Sequence, residues 1–342
     1  MANEIAPIEY DIIALGGEEL LRELLLDQTM SRDGQKRNIF WATRDYEHLG
    51  RGYAYDDPIT PYRITGEHGD LVKPRVLKAK ERQTARSKDM AEVFTPSWVC
   101  NAQNNLIDEA WFGRPNVFNT ELTLEDGTHT WQSTPQPVTF PEGKSWRDYI
   151  LDTRLEITCG EAPYLVSRYD TTTGQPIPLS QRIGMLDRKM RIVDENTTTP
   201  DEWTDAMLQA LQSTYGYEWQ GDNLLLARES VFYTILDYSR HKFGQLPTPD
   251  TMLRMANVIS WNLWQMDGLK GVIPGSCERN KPSREGLQLV LFDDTPTPTK
   301  PQPCLGCTKG TIHQHRGDKC VIRDWTHPEG KQELTYVSMI KP

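Results

Sequence analysis

The residues with the most specific spacing are cysteines and histidines near the C-terminus. Cys304 and Cys307 form a Cys-x-x-Cys pair, and His315 and Cys320 follow within the same seventeen residues. Zinc takes four nitrogen or sulfur ligands in a tetrahedron, and a Cys-x-x-Cys turn supplies two of them. The spacing predicts a closed, structural zinc site of Cys304, Cys307, His315 and Cys320, with His313 as the alternative histidine. A redox pair of Cys304 and Cys307 is the weaker interpretation, because no thioredoxin-like βαβ pattern surrounds it.

A second set of residues follows the pattern of a strand, a turn, a helix and then a strand that ends in an acid. Three segments fit this order: residues 155–165, residues 215–228 with Glu218 at the strand end, and residues 264–269 with Asp267 at the strand end. The turn lets backbone N–H groups approach a ligand, and the acid accepts hydrogen bonds from ribose hydroxyls. The pattern favours a site for a nucleotide-type cofactor.

Each segment alone has an ordinary structural interpretation. Gly160 is the only glycine in the first turn, and a lone Cys-Gly turn is common without a ligand. Glu218 alone would be read as an exposed acid favoured at a helix start by the helix dipole. Asp187, in the segment 182–193, is a second candidate for the ribose-binding acid, but it lacks the Tyr-Gly strand ending.

Taken in order, these motifs resemble the amino-methyltransferases of restriction–modification systems, particularly the subunits that methylate adenine in DNA. That family has a Phe-Thr-Pro helix start before the first strand, as in Phe94, Thr95 and Pro96 here. Its first-strand motif reads like L-E-P-x-C-G-E-G-x-F-L, and residues 155–165 read LEITCGEAPYL. Its second motif, Y-G-x-(D/E) before a helix bearing A-R, corresponds to residues 215–228. The resemblance covers roughly residues 91–270.

The resemblance implies an S-adenosylmethionine site and assigns roles within it. Thr95 and Glu156 would lie near the amino-acid end of the cofactor, Glu218 would bind the ribose, and Asp267 would bind the adenine amino group. Cys159 and Gly160 would form the tight turn. The complete set of cofactor-binding residues expected in this way is Phe94, Thr95, Pro96, Glu156, Cys159, Gly160, Glu161, Glu218, Trp219 and Asp267.

Two departures from the family pattern bear on this expectation. Ala162 stands where the turn usually has glycine, which requires Ala162 to keep a negative φ. The family's catalytic tetrapeptide, Asp, Asn or Ser followed by Pro-Pro and an aromatic residue, is missing from the whole sequence. Its nearest chemical substitute is Asp324 beside Trp325, although a strand-end acid and a packed tryptophan are the favoured explanation of that pair.

A basic segment gives the chain a possible path for a nucleic-acid backbone. Residues 73–88 hold seven Lys or Arg and one Glu, a charge of +6, within a chain of net charge −10. Such a run can follow phosphates, and a solvated helix face is the alternative. The DNA-contacting residues expected here are Arg75, Lys78, Lys80, Arg82, Arg86 and Lys88.

Hydrophobic periodicity and punctuation predict the elements that carry these residues. We expect an apolar helix within residues 1–30, a buried strand at 38–43, and helices at 97–112, 221–243 and 249–259. We expect further strands at 154–158, 213–219 and 259–266, and β structure within 114–144 and after residue 320. The predicted fold class is α/β: a Rossmann-like sheet with helices on both faces, a helical N-terminal extension and a small C-terminal zinc module.

The predicted domain boundaries follow the motifs. Residues 1–90 form the helical and basic extension, 91–277 the cofactor-binding domain, 278–303 a Pro- and Thr-rich linker, and 304–342 the zinc module. The 37% hydrophobic and 25% charged composition is that of a soluble globular protein. No apolar run approaches the roughly 18 residues of a membrane helix. The N-terminus lacks a basic start before an apolar core, so we expect no signal peptide and a cytoplasmic location.

Three functional hypotheses remain open at this point. In the first, the chain transfers a methyl group from S-adenosylmethionine to the exocyclic amino group of adenine in DNA. In the second, it is a non-catalytic methyltransferase-like subunit that binds DNA or a partner chain, and the partner supplies catalysis or specificity. In the third, it transfers a different group from the same cofactor to DNA or RNA.

Overall fold

A computed structural model of the chain describes residues 9–78, 95–280, 303–327 and 332–340. It is a mixed α/β structure with three small sheets. The α-helices of the described residues are α1 (Glu9–Leu25), α2 (Pro61–Ile64), α3 (Ser97–Phe112), α4 (Trp146–Leu151), α5 (Met185–Asn196), α6 (Pro200–Gln212), α7 (Gly221–Phe243), α8 (Pro249–Asn262), α9 (Ser276–Arg279) and α10 (Leu305–Lys309). The strands are β1 (Asn119–Thr123), β2 (His129–Ser133), β3 (Arg154–Glu156), β4 (Thr214–Glu218), β5 (Leu263–Gln265), β6 (Val321–Asp324) and β7 (Gln332–Thr335).

The central sheet is parallel and has the order β3-β4-β5. Leu155 pairs with Tyr215, and Tyr217 pairs with Trp264. Helices α5 and α6 connect β3 to β4, and helices α7 and α8 connect β4 to β5. Parallel strands need such crossovers, and the arrangement places the carboxyl ends of all three strands at one edge. The other two sheets are the antiparallel hairpins β1–β2 and β6–β7.

Several helix boundaries agree with the predicted ones because local signals determine them. Helix α3 ends at Phe112, and Gly113 closes it in the left-handed region with φ +69°. Helix α7 spans the predicted 221–243 and ends at Gly244 in the same way. Helix α3 begins at Ser97, as predicted, and Pro96 rather than Thr95 occupies the cap position.

The predicted strands were too long at two places. Strand β3 ends at Glu156 rather than residue 158, because Thr158 already has a φ of +48°. Helix α8 continues to Asn262, so only residues 263–265 remain as strand. The Asn262 side chain donates to the carbonyls of Leu211 and Thr214, which holds the end of α8 against the start of β4. Within 38–43, Asn38 and Phe40 make only isolated bridges.

The N-terminal segment contributes to the main hydrophobic core. Leu20, Leu21, Leu24 and Leu25 lie at helical spacing and are fully buried, or nearly so. They belong to the same cluster of buried side chains as Trp203 of α6, Phe232 of α7 and Met255 of α8. In the described parts of the chain, no helix is long and apolar enough to cross a membrane.

Candidate metal centre and strand-end site

Three cysteines and one histidine converge next to the carboxyl end of β5. The ligand atoms of Cys277, Cys304, Cys307 and His315 all lie within 4.8 Å of one another. His315 Nδ1 is 3.6 Å from the Cys277 Sγ, 3.7 Å from the Cys304 Sγ and 3.5 Å from the Cys307 Sγ, and the Sγ atoms of Cys277 and Cys304 are 3.8 Å apart. Around a tetrahedral zinc ion, sulfur and nitrogen ligands lie about 3.5–3.8 Å apart. The cluster therefore has the dimensions of a Cys3His metal site.

Two short helices position the three cysteine ligands. Cys277 lies in α9, Cys304 caps α10, and Cys307 lies within α10. Gly306 allows the close approach of the histidine segment, because a Cβ atom there would lie 2.6 Å from the His315 backbone nitrogen. The cluster can form only because this position has no side chain.

The structure corrects the predicted ligand set. Cys277 takes the place predicted for Cys320, whose thiol is fully buried in a separate apolar cluster and donates to the Gln265 carbonyl at 3.4 Å. Cys320 lies at the start of hairpin β6–β7, which holds it beside β5 and away from the other thiols. The alternative ligand His313 is not part of the cluster.

Backbone N–H groups favour the thiolate form of Cys304. The Arg316 N–H donates to the Cys304 Sγ at 3.4 Å. Burial raises the pKa of this thiol, but hydrogen bonds from the backbone of Arg316 and Cys307 outweigh burial and lower the pKa to about 6. Metal ligation requires the thiolate, so this environment suits a ligand.

The second site lies at the carboxyl ends of β3 and β4. The Gly160 N–H donates to Glu218 Oε2 at 2.9 Å, and the Gln220 N–H donates to Glu218 Oε1 at 3.1 Å. The Cys159 N–H donates to the Tyr217 carbonyl at 2.8 Å, which continues the pairing of β3 with β4. The sequence motifs around Gly160 and Glu218 are thus brought together, although they are 58 residues apart.

The turn after β3 repeatedly enters the left-handed region of the backbone. Thr158, Gly160 and Ala162 have φ values of +48°, +55° and +63°. The expectation that Ala162 keeps a negative φ is therefore wrong, and this buried alanine adopts a conformation that favours glycine. A Cβ atom on Gly160 would meet nothing within 4 Å, so the turn is open on that side.

Two of the predicted cofactor residues instead organise the loop that follows the turn. Glu156 accepts the N–H groups of Tyr164 at 3.3 Å and Leu165 at 3.0 Å. Its burial raises the pKa of its carboxyl well above the usual range, against these hydrogen bonds. Glu161 accepts the Tyr169 hydroxyl at 2.7 Å. Both carboxyls therefore stabilise the loop.

The Glu218 carboxyl has a similar environment but lies at the strand end. It is buried, and burial raises its pKa, while the N–H groups of Gly160 and Gln220 oppose that shift. Each of its oxygens receives one of these N–H groups. The Trp219 N–H is a third backbone donor to this carboxylate. Since each carboxylate oxygen has two acceptor sites, the group retains capacity for one more donor.

Trp219 and Asp267 lie beside Glu218 at the same edge. Gln265 of β5 donates to the Trp219 carbonyl at 2.8 Å, which ties the ends of β4 and β5 together. The Trp219 indole donates to the Tyr55 hydroxyl at 3.2 Å. Asp267 accepts the Leu269 N–H at 3.1 Å and pairs with Lys270 at 2.9 Å.

A continuous backbone path links this edge to the metal cluster. The Asp267 N–H donates to the Val272 carbonyl, and the Cys320 N–H donates to the Gly271 carbonyl. The Ile273 N–H donates to the Asp318 carbonyl, and the segment then enters α9 with Cys277. Asp267 and a metal ligand therefore belong to one hydrogen-bonded segment.

The predicted helix-start residues lie near the loop after β3. The Thr95 carbonyl accepts the Thr171 hydroxyl at 3.1 Å, and the Thr95 side chain hydrogen-bonds the Tyr164 hydroxyl. Pro96 caps α3. Phe94 lies outside the described residues.

Asp187 does not occupy a strand end. It lies in the first turn of α5, where its Oδ2 accepts the N–H and hydroxyl of Ser167 and the Gly184 N–H. It is a helix-capping acid, so the alternative assignment of the ribose-binding acid to Asp187 does not fit the structure.

The catalytic candidates Asp324 and Trp325 lie at the wrong edge of the sheet. The Trp325 indole donates to Asn262, whose side-chain amide donates to the Thr214 carbonyl at the start of β4. Asp324 accepts the N–H and hydroxyl of Thr326. The pair therefore lies at the amino ends of β4 and β5, and the structure does not bring it to the edge that holds Glu218.

Only part of the basic segment is described. Lys78 is buried and pairs with Asp222 of α7 at 3.4 Å, so it points into the protein rather than toward a phosphate backbone, contrary to the prediction. The Arg75 backbone forms a short 3-10 turn with Val76 and Leu77. The Arg75 side chain and the remaining predicted contacts, Lys80, Arg82, Arg86 and Lys88, lie outside what the structure describes.

Searches against models of known protein families, against curated proteins and against solved structures find no match to this chain.

Proposed function

We propose that this chain binds S-adenosylmethionine at the carboxyl edge of β3, β4 and β5, and that it transfers the methyl group to the exocyclic amino group of adenine in DNA. The observation that carries the proposal is the contact between the Gly160 N–H and Glu218 across two adjacent parallel strand ends. Ligands of parallel α/β sheets bind outside these ends. In this proposal the three strands belong to a Rossmann-like domain.

The donors and acceptors at this edge suit the proposed cofactor. The remaining acceptor capacity of Glu218 would take a ribose hydroxyl. Asp267, at the end of the neighbouring strand, would accept the adenine amino group. Trp219 follows Glu218 directly and would offer an apolar ring surface to the cofactor. The open side of Gly160 leaves space for the amino-acid end of the cofactor.

The cofactor brings a reactive methyl group, so the chain has mainly to hold both partners in line. The adenine amino nitrogen would attack the methyl carbon as the bond between that carbon and the cofactor sulfur breaks, which would release S-adenosylhomocysteine. The methylated nitrogen would then lose one proton to solvent. The adenine must first leave the DNA duplex before its amino group can reach the cofactor. The residues that hold the base are not assigned.

We infer that the Cys3His cluster binds a structural zinc ion. Four protein ligands close the tetrahedron and leave no position for a substrate. The ion would join α9 to the segment 304–315, and thereby fix the backbone that leads from Cys277 back to Asp267. Zinc would support the cofactor edge indirectly.

A second candidate function is supported by a different observation. The catalytic tetrapeptide is missing from the sequence, and the pair Asp324–Trp325 is turned away from the cofactor edge. These facts favour a methyltransferase-like subunit that binds the cofactor and DNA while a partner chain supplies catalysis.

Methyl incorporation tests the first function against the second. Purified zinc-loaded protein is incubated with unmethylated DNA and S-adenosylmethionine carrying a labelled methyl group, and the nucleosides are analysed by mass spectrometry. Labelled N6-methyladenine that disappears in Glu218→Gln and persists in Glu125→Gln, an exposed control, is the expected result. Saturable cofactor binding without incorporation would favour the second function, and a different labelled nucleoside would overturn the proposed reaction.

A further inference from the structure

A cleft away from the strand-end site contains buried charged groups with unused hydrogen-bonding capacity. It has a volume of about 460 Å³ and lies between α5, the last turns of α7, strand β2 and the turn 179–182. Small-molecule sites commonly have volumes of about 300–1,000 Å³. Apart from Asp187, which does not fit the role of a ribose-binding acid, none of the residues discussed as cofactor or metal ligands lines it.

Arg182 and Arg188 present donors that the described residues leave unused. Arg182 gives one N–H to Asp237 at 2.7 Å, and its Nε and Nη1 have no hydrogen-bond partner within the described ranges. Arg188 binds Asp108, Asn101 and Asn105 through its terminal nitrogens, and its buried Nε likewise has none there. Buried donors without acceptors are costly, so these positions call for an acceptor.

The same cleft contains one unused acceptor. Asp187 Oδ2 takes three donors from Ser167 and Gly184, while Asp187 Oδ1 has no partner among the residues described. The residues that line the cleft therefore combine unused donors of two guanidinium groups with a single unused carboxylate oxygen.

The other charges of the cleft are already compensated. Arg191 pairs with Glu195 and donates to the Thr134 and Gln136 carbonyls. Glu195 also accepts the Val138 N–H at 2.8 Å, and Asp194 accepts the Trp203 indole at 2.6 Å. What the cleft still lacks is mainly an acceptor for arginine N–H groups.

We propose that this cleft binds a small molecule carrying a phosphate or carboxylate group. Its oxygens would accept from Arg182 and Arg188, because guanidinium groups make strong charge-assisted hydrogen bonds to oxyanions. A hydroxyl or N–H of the same molecule would donate to Asp187 Oδ1. The exposed ring of His241 stands at the edge of the cleft. This proposal is independent of the methyltransferase function.

The chain offers a matched pair of variants for the test. Arg168 and Arg182 both pair with Asp237, at 3.0 Å and 2.7 Å, but only Arg182 lines the cleft. Arg182→Gln and Arg168→Gln therefore remove equivalent ion pairs and differ in their access to the proposed ligand. His241→Glu adds a repulsive charge at an exposed position, and it replaces Arg182→Gln if that variant does not fold.

Inorganic phosphate, succinate, adenosine monophosphate and a twelve-nucleotide single strand are titrated calorimetrically into each variant. We expect at least one probe to bind, with affinity about tenfold weaker in Arg182→Gln and unchanged in Arg168→Gln. Binding of the free small anions supports the proposal, whereas binding of the oligonucleotide alone would overturn it in favour of a nucleic-acid phosphate. Absence of binding by all four probes, or equal weakening in both arginine variants, would overturn the proposal.

Discussion

The metal centre and the strand-end site differ in how their polar groups are used. In the metal centre, three thiols lie 3.5–3.7 Å from one imidazole nitrogen, which is the spacing of ligands around a tetrahedral metal ion. At the strand end, Glu218 already accepts N–H groups from the protein, and the site keeps its shape without a ligand. The chemistry of the first region is therefore evident from its donors, whereas the second shows a scaffold whose ligand must be demonstrated.

The two regions are joined by the segment from Asp267 to Cys277, so perturbing one offers a way to probe the other. The following predictions sharpen the difference between them, in order of decreasing expected effect.

The largest effect is expected from substituting Cys277, the candidate metal ligand that the sequence did not predict. Cys277→Ser removes one of four metal ligands, so the protein should lose its zinc and roughly 3 kcal/mol of stability. Cys320→Ser is the matched control, because that buried thiol lies outside the cluster. Zinc is measured by elemental analysis and stability by denaturant unfolding. Stoichiometric zinc in Cys277→Ser together with its loss in Cys320→Ser would restore the ligand set predicted from sequence.

Removal of the metal should also weaken the strand-end site. In the proposed function zinc would fix the backbone that leads to Asp267, so chelation should reduce S-adenosylmethionine affinity about tenfold, corresponding to ~1.4 kcal/mol. The measurement is a cofactor titration before and after chelation, with zinc added back as the control. An unchanged affinity in a folded, metal-free protein would show that the two regions are independent.

A smaller effect is expected in the turn itself. Gly160 has a φ of +55° and open space around its Cα, so Gly160→Ala should cost about 1 kcal/mol of stability through backbone strain alone. Gly160→Asn should cost less, since asparagine tolerates this conformation better. Thermal unfolding compares the two, and equal stability of wild type and Gly160→Ala would argue against the left-handed turn.

The smallest effect is expected at Lys270, which is partly exposed. Its hydrogen bond to Asp267 raises the pKa of the Lys270 ammonium, so its contribution is fully present below about pH 10 and is lost as the pH rises through the folded-state pKa. Lys270→Gln should therefore cost only about 0.5 kcal/mol near neutral pH. The free energies of unfolding of wild type and Lys270→Gln are compared at pH 7 and above pH 10. If the variant lost more stability above pH 10 than at pH 7, the assigned role of the Lys270–Asp267 hydrogen bond would be contradicted.

Local signals account for what could be predicted from the sequence. Helix α3 ends at Gly113 and α7 at Gly244, because glycine closes a helix whatever surrounds it. The Cys-x-x-Cys pair and His315 were likewise predicted from short spacing. The order of strand, turn and acid was sufficient to indicate that Gly160 and Glu218 lie near each other, since parallel strands end at one edge.

What the sequence could not reveal depends on tertiary contacts. Cys277 lies 27 residues before Cys304, and only the packing of α9 against the histidine segment brings their thiols together. Asp324 and Trp325 have the right chemistry for a catalytic pair, but the topology places them at the opposite edge of the sheet. The Ala162 backbone is held in an unfavourable region by its buried surroundings, and no local propensity indicates that.

The central claim is that the edge at Glu218 binds S-adenosylmethionine, and calorimetric titration of this cofactor into zinc-loaded protein tests it most directly. We predict saturable one-to-one binding that is at least about tenfold weaker in Glu218→Gln and unchanged in Glu125→Gln. Absence of binding by the folded wild-type protein, or equal affinity in Glu218→Gln, would contradict the claim.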